Sequence, residues 1–250
     1  MTLFFIGLGL DNEKDISIKG FDAIKKSDYV FLEDYTSMLN CSVKELEKFY
    51  EKKIILADRK LVEQNSDFIL DKAIKKNVAF LIIGDVFSAT THVDLFLRAK
   101  EKKIEIKVIN NASILNAVGI VGLELYKYGK TTSMPFFENN FKPESPYDAV
   151  KENLERGLHT LVLLDIKKDL NKFMTVNVAL EQFLEIEKKR KENVFSLDKK
   201  VVGCARIGSE SQLIKYDSVK NLIKFDFGKP LHCLIVPGKL HFMEEEMLNL

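Results

Sequence analysis

The chain has 250 residues, an apolar share of 46% and a formal charge of +1 from 38 Lys and Arg against 37 Asp and Glu. That length holds one large domain or two modest ones of ~100–200 residues, and a charge this balanced excludes the basic stripe of a nucleic-acid binder. Cys41, Cys204 and Cys233 stand far apart with no CxxC pair, which argues against a disulfide framework or zinc site and for a reducing cytoplasm.

The opening MTLFFIGLGL has the apolarity of a signal-peptide core, but no basic residue precedes it and no small-residue cleavage site follows, so it reads as a strand. Helix Ser17–Lys26, strand YVFLE (29–33), helix Val43–Glu51 and strand KIILA (53–57) come next. Helix Phe68–Lys76, strand AFLII (79–83), helix Thr91–Lys102 and strand IEIKVI (104–109) complete the half. Short apolar runs separated by amphipathic helices mean βα units and a largely parallel sheet. The lysine pairs at 25–26, 52–53 and 75–76 are solvated helix faces. The uncharged stretch Val108–Leu123 falls short of the ~20 residues of a membrane span.

The pattern restarts after Asn110-Asn111. Ser113 caps a helix to Tyr128, and strand TTSMP (131–135), the loop FFENNFKPESP and a helix at Tyr147–Arg156 follow. Then come strand HTLVLLDI (159–166), a charged helix over 175–192, strand VVGCARI (201–207), strand Leu231–Val236 and helix Leu240–Leu248. The expectation is two α/β domains, 1–110 and 111–250, with mostly parallel sheets.

Several motifs fail. GLGLDN (7–12) has Asn12 where a dinucleotide fingerprint needs its third glycine, so an ordinary tight turn competes with a cofactor turn. YGKTT (128–132) has Glu124 where a phosphate loop needs glycine. Histidines 92, 159, 232 and 241 show no zinc spacing, and no GxSxG elbow exists. His159 is a conceivable base, yet a histidine opening a buried strand is commonly structural.

What survives is position. Gly7–Leu10, GDVFSATTH (84–92), Asn110–Ile114 and the region after Leu164 each follow a strand, and open α/β sheets bind ligands beyond the carboxyl ends of their strands. Asp85 can receive hydrogen bonds from a ligand or cap the next helix, and Ser88 and Ala89 are small enough for close approach. Ser113 fits a ligand contact or a plain N-cap.

FFIGLGL, SIKG (17–20), EDYTS (33–37), GDVFSATTH, NNASI, GKTTSMPFFENNFKPESPYD, ENLERGLHTLVLLDIK and LIVPGKLH occur in this order, and together they resemble the diphthine synthases of the tetrapyrrole-methylase superfamily. The resemblance spans nearly the whole chain and implies a methyltransferase with S-adenosyl-L-methionine in an interdomain cleft, S-adenosyl-L-homocysteine as product, and a cytoplasmic homodimer. It implies cofactor contacts at Leu10, Asp85, Ser88, Ser113, Ile114, Leu164, Ala205 and His232, many through backbone groups. The implied substrate is translation elongation factor 2, on the amine of a 3-amino-3-carboxypropyl-histidine, with no catalytic residue and no metal named. Two departures from that family are Val86 in place of proline after GD and an end soon after LHFMEEEML. The rivals are methylation of a corrin or porphyrin ring, a nicotinamide-dependent dehydrogenase and a non-catalytic binding module.

Overall fold

In the computed structural model, which describes residues 1–250, the chain divides into two units, Met1–Ile114 and Leu115–Leu250. The first runs β1 (Thr2–Gly7), α1 (Ile18–Lys25), β2 (Tyr29–Glu33), α2 (Val43–Tyr50), β3 (Ile54–Ala57), α3 (Arg59–Glu63), α4 (Asp67–Lys75), β4 (Val78–Ile82), α5 (Val93–Glu101) and β5 (Glu105–Ile109). Its strands form one sheet in the order β3-β2-β4-β1-β5, with every pairing parallel. All five carboxyl ends therefore lie along one edge.

Successive side chains of a strand face opposite ways, and here both sets are apolar. Leu3, Phe5, Phe31, Phe80 and Ile82 pack with Val62, Ile69, Leu70, Leu95 and Ala99 of α3, α4 and α5. Ile6, Val30, Leu32, Ala79 and Leu81 pack on the other face with Ala23 and Ile24 of α1 and Leu46 and Tyr50 of α2. Helix starts are fixed by side chains that satisfy free backbone N–H groups: Ser17 accepts from Gly20, and Ser42 with Glu45 forms a reciprocal capping box.

The second unit follows α6 (Ile114–Ala117) at the junction. It comprises β6 (Thr132–Met134), α7 (Ser145–Glu155), β7 (Thr160–Leu164), the hairpin β8 (Ile166–Lys167) and β9 (Lys172–Phe173), α8 (Val176–Arg190), β10 (Lys200–Ala205), β11 (Leu213–Ser218), α9 (Val219–Leu222), β12 (His232–Val236) and α10 (Phe242–Leu248). Its main sheet has the order β11-β10-β12-β7-β6. Only β6–β7 is parallel; the pairs β7–β12, β12–β10 and β10–β11 are antiparallel. This sheet is therefore mixed rather than mostly parallel. The loop 206–212 is too short for a crossover helix, so β11 can only turn back on β10.

The helix expected from Ser113 to Tyr128 is instead α6 followed by two 3-10 turns, Val118–Val121 and Leu125–Lys127. Gly122 stops it with a φ of 86°, and a Cβ there would lie 1.9 Å from Met247 Cγ. No helix is long and apolar enough to cross a membrane.

Gly203 of β10 faces Phe227, whose Cζ would lie 2.2 Å from an added Cβ. Phe227 is fully buried in the core of this unit, so it cannot swing into solvent. Gly203→Ala is expected to lower unfolding stability by about 1–3 kcal/mol, the cost of overpacking. Unaltered denaturant midpoints would show that the ring has room to move.

Candidate functional site

Three loops leave the neighbouring strands β4, β1 and β5. Gly9 and Gly84 bridge two of them: the Gly84 N–H donates to Gly9 O at 2.7 Å and the Gly9 N–H to Gly84 O at 3.2 Å. A Cβ on Gly7 would fall 2.7 Å from Gly84 O, so the loops can close only over glycine. At Gly84 itself a Cβ would meet nothing nearer than Ala112 O and Ser113 at 3.9 Å. The backbone is thus open on that side, with Ser113 as its neighbour.

Asp85 ties this loop to the one after β5. Its Oδ1 accepts from the Asn111 N–H at 2.9 Å and the Asn110 amide at 3.0 Å, and its Oδ2 from the Ser88 hydroxyl at 3.1 Å. Burial opposes its ionisation, but these bonds outweigh it and hold the carboxyl below its ordinary range. The Asn111 side-chain amide donates to Gly7 O and to Asp15 O, both at 3.0 Å, drawing in the loop after β1. Leu10, Asp85, Ser88 and Ser113, on loops, and Ile114, the first residue of α6, thus stand at one edge of the first unit. The Ser88 N–H closes a turn on Asp85 O at 3.4 Å, with Val86 at the position where a proline would preset φ. Val86 contributes a fully buried side chain to the core instead.

In the second unit Ala205 and His232 are register partners on β10 and β12, and Leu164 ends β7 one residue past Leu163, which faces Cys233. The three stand side by side across the sheet. The His232 ring is already engaged: its Nδ1 accepts from the Val176 N–H at 3.4 Å and its Nε2 donates to Lys229 O at 3.0 Å. Burial keeps it neutral, against the opposing pull of the Lys229 carbonyl. Any ligand contact at His232 therefore runs through its backbone.

The remaining motifs resolve structurally. After GLGLDN, the Leu10 and Asp11 N–H groups donate to Asp15 Oδ2 at 3.1 and 2.7 Å, and α1 begins only at Ile18. The turn is therefore filled by its own carboxylate, not shaped for a pyrophosphate. Gly129 of YGKTT is required because a Cβ would lie 2.1 Å from Asn153 Oδ1. His159 is fully buried; its Nδ1 accepts from the Gly238 N–H and its Nε2 donates to Glu244 Oε1, each at 2.9 Å. It is a structural histidine that anchors α10. What the sequence reading missed are the organisers Asp15, Asn110 and Asn111. The signal for the last two was present, as paired asparagines directly after a strand.

Comparison with known proteins agrees with this architecture. The family model of the tetrapyrrole (corrin/porphyrin) methylases matches residues 2–223. The diphthine methyl ester synthase of Dictyostelium discoideum is 51% identical, over 98% of this chain and 96% of its own. The diphthine synthase of Methanocaldococcus jannaschii is 49% identical, over 99% and 97%. A crystal structure of a candidate diphthine synthase from Entamoeba histolytica superposes with a TM-score of 0.93 at 45% identity, covering 99% of this chain and 97% of that one.

The His159–Glu244 pair predicts an acid-sensitive second unit. Burial opposes ionisation of Glu244, but the Lys127 ammonium, the His241 and Glu124 N–H groups and His159 bring its carboxyl down to about 2. A depressed folded value means the stabilisation is complete above the unfolded carboxyl value of ~4.3 and is lost as pH falls towards the folded one. His159, held neutral by burial against the pull of Glu244, adds a loss that begins below its unfolded value of ~6.5. Glu244→Gln should flatten the fall of melting temperature between about pH 4.5 and 2. An unchanged slope would exclude the pair as its source.

Proposed function

The chain belongs to the tetrapyrrole methylase family, alongside the diphthine synthases, and from that premise we propose that it methylates the amine of the 3-amino-3-carboxypropyl-histidine of translation elongation factor 2, with S-adenosylmethionine as donor. On this reading the chain works in diphthamide biosynthesis, and we propose the cytoplasm as its location and a homodimer as its assembly. The observation that carries the reading is the open backbone beside Gly84 and Ser113, held by Asp85 and Asn111. Such an edge fits a ligand that lies along loop backbone, and Leu10, Asp85, Ser88, Ser113 and Ile114 would form one part of its contacts.

The cofactor supplies a methyl on a sulfonium, whose sulfur leaves as a neutral thioether. What the chain must do is bring a neutral amine in line with the carbon–sulfur bond and keep water away, so positioning accounts for most of the acceleration. Asp85 acts here as a positioning residue. Its carboxylate holds the loop, and the loop backbone meets the ligand.

The segment 136–148 supports a protein acceptor. Phe136 is buried, and its N–H donates to Asp165 at 3.1 Å; the Phe137 N–H donates to Gln182 at 3.0 Å. Glu138 and Phe141 exchange two backbone hydrogen bonds of 3.0 Å across Asn139-Asn140. The turn is fixed at both ends, yet Phe141 is 55% exposed. An aromatic side chain on a rigid turn loses little freedom on docking, and such anchors carry much of an interface's energy.

The test of cofactor use is calorimetry with S-adenosylhomocysteine and NAD. The adenosyl compound should bind and NAD should not; the reverse would overturn the methyltransferase reading. Asp85→Ala should weaken the adenosyl affinity by roughly 1–3 kcal/mol through loss of the loop's hydrogen bonds. Asp85→Asn, which keeps a carbonyl oxygen for the two asparagine donors, should restore most of it. Equal affinity in all three proteins would show that loop order is irrelevant to binding.

Acceptor use is tested with elongation factor 2 carrying the unmethylated precursor and mass spectrometry of the histidine peptide. Phe141→Ala should leave cofactor affinity intact and raise the apparent KM for the acceptor by about 5–30-fold, as for loss of an anchor worth 1–2 kcal/mol. Unaltered kinetics would remove Phe141 from the acceptor interface.

A further inference from the structure

The end of loop 84–92 is not used by the contacts described so far. Its first part, Asp85 to Ser88, is tied to the loop after β5, while its last part turns towards the end of β2. There the Tyr35 and Thr91 hydroxyls meet at 3.3 Å, and His92 stands edge-on to the rings of Tyr35 and Phe80, at 6.1 and 5.3 Å between centroids. Strands β2 and β4 are neighbours, so this cluster adjoins the proposed cofactor edge on the same side of the sheet.

His92 is the anomaly among the buried histidines. It is 0% exposed, and neither ring nitrogen meets a hydrogen-bonding group of the chain. Burial alone, with no charged neighbour, takes its pKa down to about 4, so the ring is neutral and keeps one free acceptor nitrogen. A buried polar group without a partner lowers stability, and an apolar ring of similar shape would avoid that loss. The segment leading into it carries a strained feature of its own. Ala89 has a φ of 59°, a left-handed conformation unfavourable for a residue with a Cβ, and Phe87, Ala89 and Thr91 are exposed.

We propose that His92, with the Tyr35–Thr91 pair beside it, is the subsite for the acceptor amine: when segment 87–91 shifts, one imidazole nitrogen accepts a hydrogen bond from an amine N–H. The amine lone pair is thereby turned towards the methyl donor held by the earlier part of the same loop. The histidine takes no proton. In each of the first two transfers the amine nitrogen bonds the methyl carbon, the carbon–sulfur bond breaks with its electron pair on sulfur, and the surplus N–H proton leaves to solvent; a third transfer would break the same bond and leave a quaternary ammonium with no proton to lose. The subsite rests on the methyltransferase reading above. It also makes a demand specific to itself, because a neutral dimethylated amine has no N–H left to donate. His92 should therefore assist the first two transfers and be irrelevant to a third.

The experiment compares wild type, His92→Phe, the smaller His92→Leu and His92→Gln, which retains an acceptor oxygen. Melting temperature, S-adenosylhomocysteine affinity and stepwise transfer to precursor-bearing elongation factor 2 are each measured. The apolar variants should melt at or above wild type, bind the adenosyl compound equally, and lose about 10–100-fold in the first transfer, as for one hydrogen bond in a dry site. His92→Gln should recover part of that loss, and a dimethylated acceptor should be processed at the wild-type rate. Undiminished first transfer in the apolar variants overturns the proposal. So does a fall in melting temperature and cofactor affinity that accounts for the lost rate, since that is the behaviour of a structural histidine. A wild-type protein that binds the adenosyl compound but never methylates this acceptor overturns the function assigned above, and the subsite with it.

Discussion

The first unit depends on one junction, in which Asn111 and Asp85 hold the loops after β1, β4 and β5 in fixed relation. Asn111 spends its side-chain amide on two carbonyls of the β1 loop, Gly7 O and Asp15 O, and its own N–H on the Asp85 carboxylate. A parallel sheet brings strand ends to one edge but gives their loops no ladder to pair with. The Gly9–Gly84 bridge joins only the β1 and β4 loops, so the junction is what adds the β5 loop to them. Gly7 serves the same end, since its close approach to Gly84 O leaves no room for a Cβ at position 7.

That dependence explains why Asp85 was only half legible in sequence. A carboxylate after a buried strand can be read as a ligand contact or as a cap, and both readings place it at the edge of a site. Only the structure shows its oxygens committed to Asn110, Asn111 and Ser88, residues on two different loops. The strands of this unit other than β5 were legible because they are apolar on both faces, a pattern that burial under two helix layers demands, and β5 because Glu105 and Lys107 alternate with Ile106 and Val108 at the sheet edge. In the second unit the same signal could not distinguish parallel from antiparallel pairing. Strand β11 was missed because its residues are half-buried or exposed at a sheet edge, with little apolar signal to read. The expected helix over 113–128 tightens to a 3-10 turn after Ala117 and breaks at Gly122, a left-handed residue where a Cβ would clash with Met247, distant in sequence.

The histidines separate structure from chemistry more sharply than sequence spacing could. His159 and His232 are buried, and each has one nitrogen accepting from a backbone N–H and the other donating to an oxygen. Their tautomers are fixed by the chain, and their surroundings need an imidazole to remain satisfied. His92 is buried as deeply, but its neighbours are aromatic rings and its nitrogens have no partner. Burial of all three rings would be enough for the hydrophobic core to tolerate them; hydrogen bonding explains why two must be histidine and leaves the third without a structural reason. Among the buried side-chain groups only the Tyr128 hydroxyl shares this lack of a partner, and no other buried histidine does; that difference marks the end of loop 84–92 as shaped for something other than folding.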